Sequence, residues 1–462
     1  MSSQTNKFSN EPLGRIYAKT ALPIIFVMGM NGFLAVADAL FLGHFAGPEA
    51  LAAVTLMFPL YMVIVSLATL VASGMSSLLA RHLGARRVNE ARAVFSGAHG
   101  LAAGLGLLLI LLFVIAGKPV AMLAAGGSEN LAEAGLVYLR ITVFAAPLVF
   151  VLSVNSDALR NEGLVGFMAA MSLLVSLTNI AFNYVLIGIF AMGVAGSAYG
   201  TALAQAFALI IILAFRTCGN TELRPSAIWR QSPVRRWGAM LALGAPQSLN
   251  FVGFALGSAA IIAALQWVGA QNYDATVSAY GIVTRVITFA FLPLLGLAHA
   301  MQTITGNNYG AGKIHRSDAS LQTAVLAALI YSLLVQLGVT VFAEEIGASF
   351  VEDPGVVAEV ARILPVISAT FFLSGPLMMV AMHFQAIGDA GRAAVLGLSK
   401  PYLFAIPLTF ILALSIGEAG IWLAAPVADS LLLGLTVLVL AQRARTRALR
   451  FGLFQHTAEA RL

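Results

Sequence analysis

Charge is scarce in this sequence. Only 10% of its 462 residues are Asp, Glu, Lys or Arg and 60% are hydrophobic, whereas an ordinary soluble domain carries about 25% charged residues. A chain so poor in charge cannot cover a water-facing surface, which excludes a soluble globular fold. Cysteine is nearly absent, and the single Cys218 permits neither an internal disulfide framework nor a thiolate metal site. No His, Asp and Glu grouping at ligand spacing appears at membrane depth, so neither a metal centre nor an integral-membrane enzyme is expected. "GNNYGAGKI" at 306–314 lacks the spacing and the Ser or Thr of a phosphate loop, which removes ATP as an energy source.

What the chain has instead is a succession of apolar runs. Each approaches the roughly 20 residues that a helix rising about 1.5 Å per residue needs to cross about 30 Å of hydrocarbon. Twelve are counted: 16–42, 50–76, 93–116, 134–157, 164–188, 194–215, 237–267, 277–301, 320–342, 357–383, 393–415 and 420–441. None shows the alternation of a membrane β-barrel. The expected fold is an all-α integral membrane protein of twelve transmembrane helices. The segment "MSSQTNKFSNEPLGRIYAKTALPIIF" has a polar lead and no small-residue cleavage site, so it reads as a retained first helix.

The formal net charge of +6 comes from position-specific clusters, "RHLGARR", "RPSAIWRQSPVRR", "GAGKIHR" and "AQRARTRALR", which fall on alternate loops. The opposite loops are acidic, as in "FAEEIGASFVEDPG". The positive-inside rule then places both termini in the cytoplasm of a multi-pass plasma (inner) membrane protein. The basic residues are topology signals, and no nucleic-acid partner is expected.

Sliding the chain against itself by about 224 residues aligns "LGARR" with "YGAGK", "ALRNEG" with "AIGDAG", and "GVAGSAYGTALAQ" at 193–205 with "GEAGIWLAAPVAD" at 417–429. The chain therefore divides into an N-terminal lobe of helices 1–6 (1–215), a cytoplasmic linker (216–236) and a C-terminal lobe of helices 7–12 (237–462). Six helices per half make the repeats parallel, related by a pseudo-two-fold axis along the membrane normal, an arrangement common in secondary transporters.

A charge at the bilayer centre costs roughly 2.5 to 3.5 kcal/mol on insertion scales, so an ionisable residue there is a functional candidate. Asp38 in "NGFLAVADALFLGHFAG" is the clearest case, with Asn31 two turns earlier on the same face. The fifth span carries Ser172, Ser176, Asn179 and Asn183 on one face, and the sixth carries Ser197, Thr201 and Gln205. Such small polar residues also serve helix packing. Together with Asp38 they could hold a proton network or, with added water, a sodium ion. The matching place in the second half is Ile261, so the acid belongs to one lobe only. Arg285 and Asp429 lie at similar depth and are expected to form an ion pair, with a second coupling site at Asp429 as the alternative. Pro23 permits a bend in the first helix, and methionines including Met28 and Met171 offer an adaptable apolar surface. His99, His299 and His383 are expected at membrane interfaces.

The series "VADALFLGHFAGPEALAAV", "GMSSLLARHLGARRVNEA", "TNIAFNYVLIG", "GVAGSAYGTALAQ" and "VSAYGIVTRVITFAFLPLLGLAHAMQTITGNNYGAGK" resembles the multidrug and toxic compound extrusion family over nearly the whole chain. The resemblance implies a secondary efflux antiporter expelling amphipathic, often cationic drugs in exchange for protons, or for sodium ions, without any other cofactor. It is closest to the DinF-like branch, whose essential first-helix acid Asp38 matches. That branch also implies a polar network of Tyr138, Asn179, Asn183 and Thr201 and a bending proline at Pro23, although Asn183 stands where the branch often has an aspartate. The acids of the sodium-type branch on helices seven and ten are missing. Asn31, Met28, Met171 and Gln205 are candidate cavity residues. Membrane lipid is an expected neighbour and a monomer the expected state. A lipid-linked precursor flippase is the rival, but it calls for several cavity Arg or Lys.

Overall fold

A computed structural model describes residues 6–219, 221–269, 272–447 and 449–455. Within hydrocarbon, every backbone N–H and C=O must find a partner inside the protein, and a helix is the simplest solution for a run of about 20 apolar residues. The described chain accordingly forms α1 (Leu13–Ala46), α2 (Pro48–Gly84), α3 (Val88–Ala124), α4 (Glu129–Asn161), α5 (Val165–Ile189), α6 (Gly193–Cys218), α7 (Trp237–Val268), α8 (Tyr273–Gly310) and α9 (Ile314–Val341). These are followed by α10, a pair of helices (Pro354–Ile367 and Phe371–Ile387) bent by 47°, then α11 (Ala390–Ile416) and α12 (Glu418–Thr446). Eleven of these helices are long and apolar enough to cross a membrane, and the bent pair, taken as one broken span, makes twelve. Large apolar side chains such as Leu107, Ile115, Ile210, Leu334 and Leu438 stay exposed, as a lipid-facing surface requires.

The helices are irregular at a few places. Three π-helical segments interrupt them: Leu42–Ala46 in α1, Tyr184–Ile189 in α5 and Ser399–Ala405 in α11. The last contains Pro401, which has no N–H to donate and so cannot continue an ordinary ladder. The break in α10, at Ser368 to Thr370, is stitched by Gln336 of α9. Its Nε2 donates to Ala369 O at 2.8 Å, and its Oε1 accepts from Phe372 N–H at 3.0 Å.

Contacts divide the chain into two compact units. One holds residues 22–248, the other residues 1–21 together with 249–462. The expected boundaries at 215 and 237 therefore differ from the division of contacts at both ends. Residues 13–21, the opening of α1, pack with the second unit, where Tyr17 Oη donates to Ser320 O at 2.9 Å and Asn6 Nδ2 to Asn307 Oδ1 at 2.9 Å. Residues 237–248, the opening of α7, pack with the first unit.

The segment 216–236, expected as a linker, is strapped to that first unit. Arg216 at the end of α6 pairs with Glu162 at 2.7 Å, both buried, and Glu162 also accepts from Leu223 N–H at 3.1 Å. Arg235 bridges to Glu90 at 3.1 Å, and Trp237 Nε1 donates to Gly97 O at 2.9 Å. His99 and His383 are buried within the protein, and His99 sits against Asn155 Nδ2 at 3.0 Å.

The opening of α7 reaches α2 because glycine stands at the crossing. A Cβ on Gly74 would lie 2.0 Å from Met240 O, and one on Gly244 1.9 Å from Leu70 O. Gly74→Ala and Gly244→Ala are each expected to lower thermal stability in detergent by about 1–3 kcal/mol through overpacking. Gly257→Ala, whose new methyl group meets open space, is expected to leave the unfolding midpoint unchanged.

Candidate functional site

The polar residues of α1, α5 and α6 meet within the first unit. Asp38 stands one turn before the π-helical segment Leu42–Ala46, which ends at Gly47 with φ 88°. Asn179 and Asn183 project from one face of α5 and are fully buried, and the next residue, Tyr184, begins the second π-helical segment. Phe45 in the first segment stacks on Phe41 at 5.8 Å and meets Tyr184 edge-on at 6.4 Å, so the two irregular segments are packed together beside the acid.

Asn183 Nδ2 donates to Asp38 Oδ1 at 2.5 Å. The Asn179 carboxamide fits the network in either of two orientations with opposite polarity. In one, its nitrogen donates to Thr201 Oγ1 at 2.9 Å and its oxygen accepts from Asn183 Nδ2 at 3.1 Å. Turned by half a rotation, its nitrogen donates to Asp38 Oδ1 at 2.9 Å and faces Asn183 Nδ2 at 3.1 Å in place of the bond from Asn183, while its oxygen accepts from Thr201 Oγ1 at 2.9 Å and from Thr201 N–H at 3.2 Å. An ionised carboxylate only accepts hydrogen bonds, so it favours the second orientation, with two N–H donors on Oδ1. A protonated acid has an O–H to give, and it favours the first, in which the Asn179 oxygen faces it.

Gly200 is the site residue that pattern reading missed. A Cβ there would fall 2.2 Å from Asn183 Oδ1, so only glycine lets α6 lie close enough for Thr201 to reach Asn179. The internal repeat gave no signal for it, since Gly200 falls on Ala424 whereas Gly193 and Gly196 fall on glycines.

Of the other sequence candidates, Tyr138 and also Tyr61 lie within electrostatic range of Asp38. Tyr138 makes no side-chain hydrogen bond to the network among the described residues. Asn31 is exposed, while Met28, Met171, Gln205 and Pro23 are half-buried and outside the hydrogen-bonded set. Ser176 is buried and turned onto its own helix, its hydroxyl donating to Ser172 O at 3.2 Å.

In the second unit, the expected pairing of Arg285 with Asp429 does not form. Arg285 is exposed. Asp429 is instead paired with Lys400 of α11 at 2.6 Å and accepts from Thr370 Oγ1 at 3.0 Å. Depth along the span put Arg285 and Asp429 on one level, but helix azimuth decides contact, and only Lys400 faces the acid. Lys400 was overlooked in "LSKPYL", where a base inside an apolar span one helix before an acid was the available signal.

Comparison with known proteins agrees with this architecture. The MatE family profile matches residues 23–185 and 246–411, one match in each half. The chain is 26% identical over 455 residues to the FAD transporter of Shewanella oneidensis, covering 94% of this chain and 95% of that one. It is 23% identical over 438 residues to the probable multidrug resistance protein YoeA of Bacillus subtilis, covering 92% of each. Among solved structures, MATE in the bent conformation superposes with a TM-score of 0.87 at 22% identity, covering 96% of this chain and 98% of that one. The repeated helical build and the two family matches together identify the chain as a member of the MatE family, the multidrug and toxic compound extrusion transporters.

Proposed function

We propose that this protein is a secondary antiporter that exports amphipathic, often cationic compounds in exchange for protons, with Asp38 as the group that carries the proton. The observation behind this reading is the Asp38 carboxylate held by the Asn183 carboxamide N–H within an apolar stretch of α1. Exchange requires that the two states of the acid favour different partners, since a ligand shifts an equilibrium only by its differential affinity. The two Asn179 orientations supply such a difference, because each suits one protonation state and reverses the hydrogen bond to Thr201 on α6. Proton gain or loss on α1 is thereby coupled to the contact between α5 and α6. Pro23 gives α1 a point at which to bend in response.

A proton is favoured over sodium because the atoms Asn183 and Asn179 turn toward the ionised acid are N–H donors, whereas a sodium ion needs several oxygens. A proton falling through about 150 mV supplies about 3.5 kcal/mol, enough for a gradient of a few hundred-fold in a neutral cargo. The protein is proposed to work as a monomer in the plasma (inner) membrane with both termini cytoplasmic. The likeness to a FAD transporter favours a second cargo reading, a phosphate-bearing amphipathic compound.

Reconstitution in proteoliposomes tests the mechanism. Efflux of a cationic dye driven by an imposed pH gradient is expected in the wild type and is expected to fall at least about tenfold in Asp38→Asn. Full coupled export by that variant would refute the role of Asp38, and drive by a sodium gradient alone would replace the ion. Asn183→Leu, which removes the N–H donor to the carboxylate, is expected to slow proton-driven export and to lower stability by about 1–3 kcal/mol, the cost of an unpaired buried polar group. Thermal unfolding of the same preparation reads the second effect.

A further inference from the structure

The Lys400 and Asp429 pair in the second unit is unused by the coupling mechanism. It is also built from two departures from regular helix. Lys400 lies inside the π-helical segment Ser399–Ala405 of α11. Thr370, which donates to Asp429 Oδ2 at 3.0 Å, sits in the break of α10, directly before the helix that starts at Phe371. The π-helical segment is held from α7, where Tyr402 Oη donates to Leu249 O at 2.8 Å. Gly253 leaves the room, since a Cβ there would lie 2.7 Å from the Pro401 Cβ. Irregular backbone at membrane depth persists where it is buried in protein or lines a cavity, and broken helices in transporters commonly surround a binding site.

The internal repeat sharpens this. The offset of about 224 residues that aligns 193–205 with 417–429 sets Lys400 against Ser176 and Asp429 against Gln205. Ser176 and Gln205 lie one helical turn from Asn179 and Thr201 of the coupling network. The same two helices of each half therefore carry a membrane-embedded polar group, a set of amides in the first half and a charged pair in the second.

The polarity of the pair is set by exposure. The Asp429 side chain is 5% exposed, with the Thr370 hydroxyl on it, and the Lys400 side chain is 30% exposed. The buried acid keeps a charged ammonium tolerable at this depth, and the lysine is the more accessible member of the pair. The ammonium stands 2.6 Å from Asp429 Oδ1 as an ion pair, and an ammonium has three N–H donors to place. A partly exposed lysine ammonium is a chemical match for a carboxylate or phosphate oxygen.

We infer that Lys400, backed by Asp429 and Thr370, is an anion-accepting site that binds the carboxylate or phosphate of an amphipathic cargo. The inference rests on the transporter reading above. It gives this chain a means of handling anionic or zwitterionic compounds besides cations.

The test measures binding to the purified full-length protein in detergent by fluorescence anisotropy. Two xanthene dyes of similar size and opposite charge serve as probes, anionic carboxyfluorescein and cationic rhodamine 6G. Lys400→Gln is expected to weaken carboxyfluorescein binding by about tenfold or more while rhodamine 6G binding changes by less than about twofold, and Lys400→Arg is expected to keep both. The charge swap of Lys400→Asp with Asp429→Lys retains an ion pair but buries its cation, so it is expected to regain stability and not dye affinity. Recovery of carboxyfluorescein binding by the swap, an equal loss of both dyes in Lys400→Gln, or a wild type that binds only rhodamine 6G would overturn the inference.

The neutral double variant of Lys400→Gln with Asp429→Asn guards against misfolding. It is expected to keep the unfolding midpoint and still lose carboxyfluorescein. Displacement of the dye by phosphatidylglycerol without dye export in proteoliposomes would assign the ammonium to lipid headgroups instead, and overturn the cargo role. Absence of rhodamine 6G export would count separately, against the transporter reading.

Discussion

The constraint on which the structure depends is the absence of water in the bilayer core. A backbone group without a partner there costs several kcal/mol, so twelve apolar runs become helices almost by default. Any departure from the helix must be compensated from within the protein. The places where the compensation is visible are few: Gln336 across the break in α10, Tyr402 against α7 at the bulge of α11, and the packed rings of Phe45 and Tyr184 where α1 and α5 turn π-helical. Each lies within a turn or two of a polar side chain that an inert bundle would not need. Irregular backbone and embedded charge mark the same spots because both are expensive in hydrocarbon and both are tolerated only under a second function.

Much of this was legible in the sequence. The number and place of the spans follow from apolar length alone, and Asp38 announces itself because a lone acid in a hydrophobic helix has no cheap explanation. Spacings of four and three on α5 gave the face shared by Asn179 and Asn183, and Thr201 followed from the next helix. What periodicity could not give was azimuth between helices. Arg285 and Asp429 agree in depth and point apart, while Lys400 was masked because a regular helix drawn through "LSKPYLFA" ignores the extra turn width that Pro401 introduces. Gly200 was equally silent as a residue type; its importance lies in the atom it omits.

Tertiary packing also overrode composition in the segment between the halves. Pro225, Pro233 and a row of arginines read as a linker, yet buried Arg216 with Glu162, and Trp237 on Gly97, bind the segment to the first unit. Arginine gathers enough hydrogen-bond partners to be buried there, which a count of charges does not reveal.

The exchange of helix openings has a wider consequence. Among the described residues, 6–21 belong with 249–455, and 237–248 belong with 22–236, so each half gives the first turns of its leading helix to the other's unit. Pro23 and Pro246 stand at the two crossover points, and the two family matches begin at those same residues. Considered as the product of duplication, neither half is a complete folding module. In its exchange of leading segments the chain resembles a domain-swapped dimer joined by one covalent connection, and its two halves differ in carrying an acid among amides in the first and an ion pair in the second.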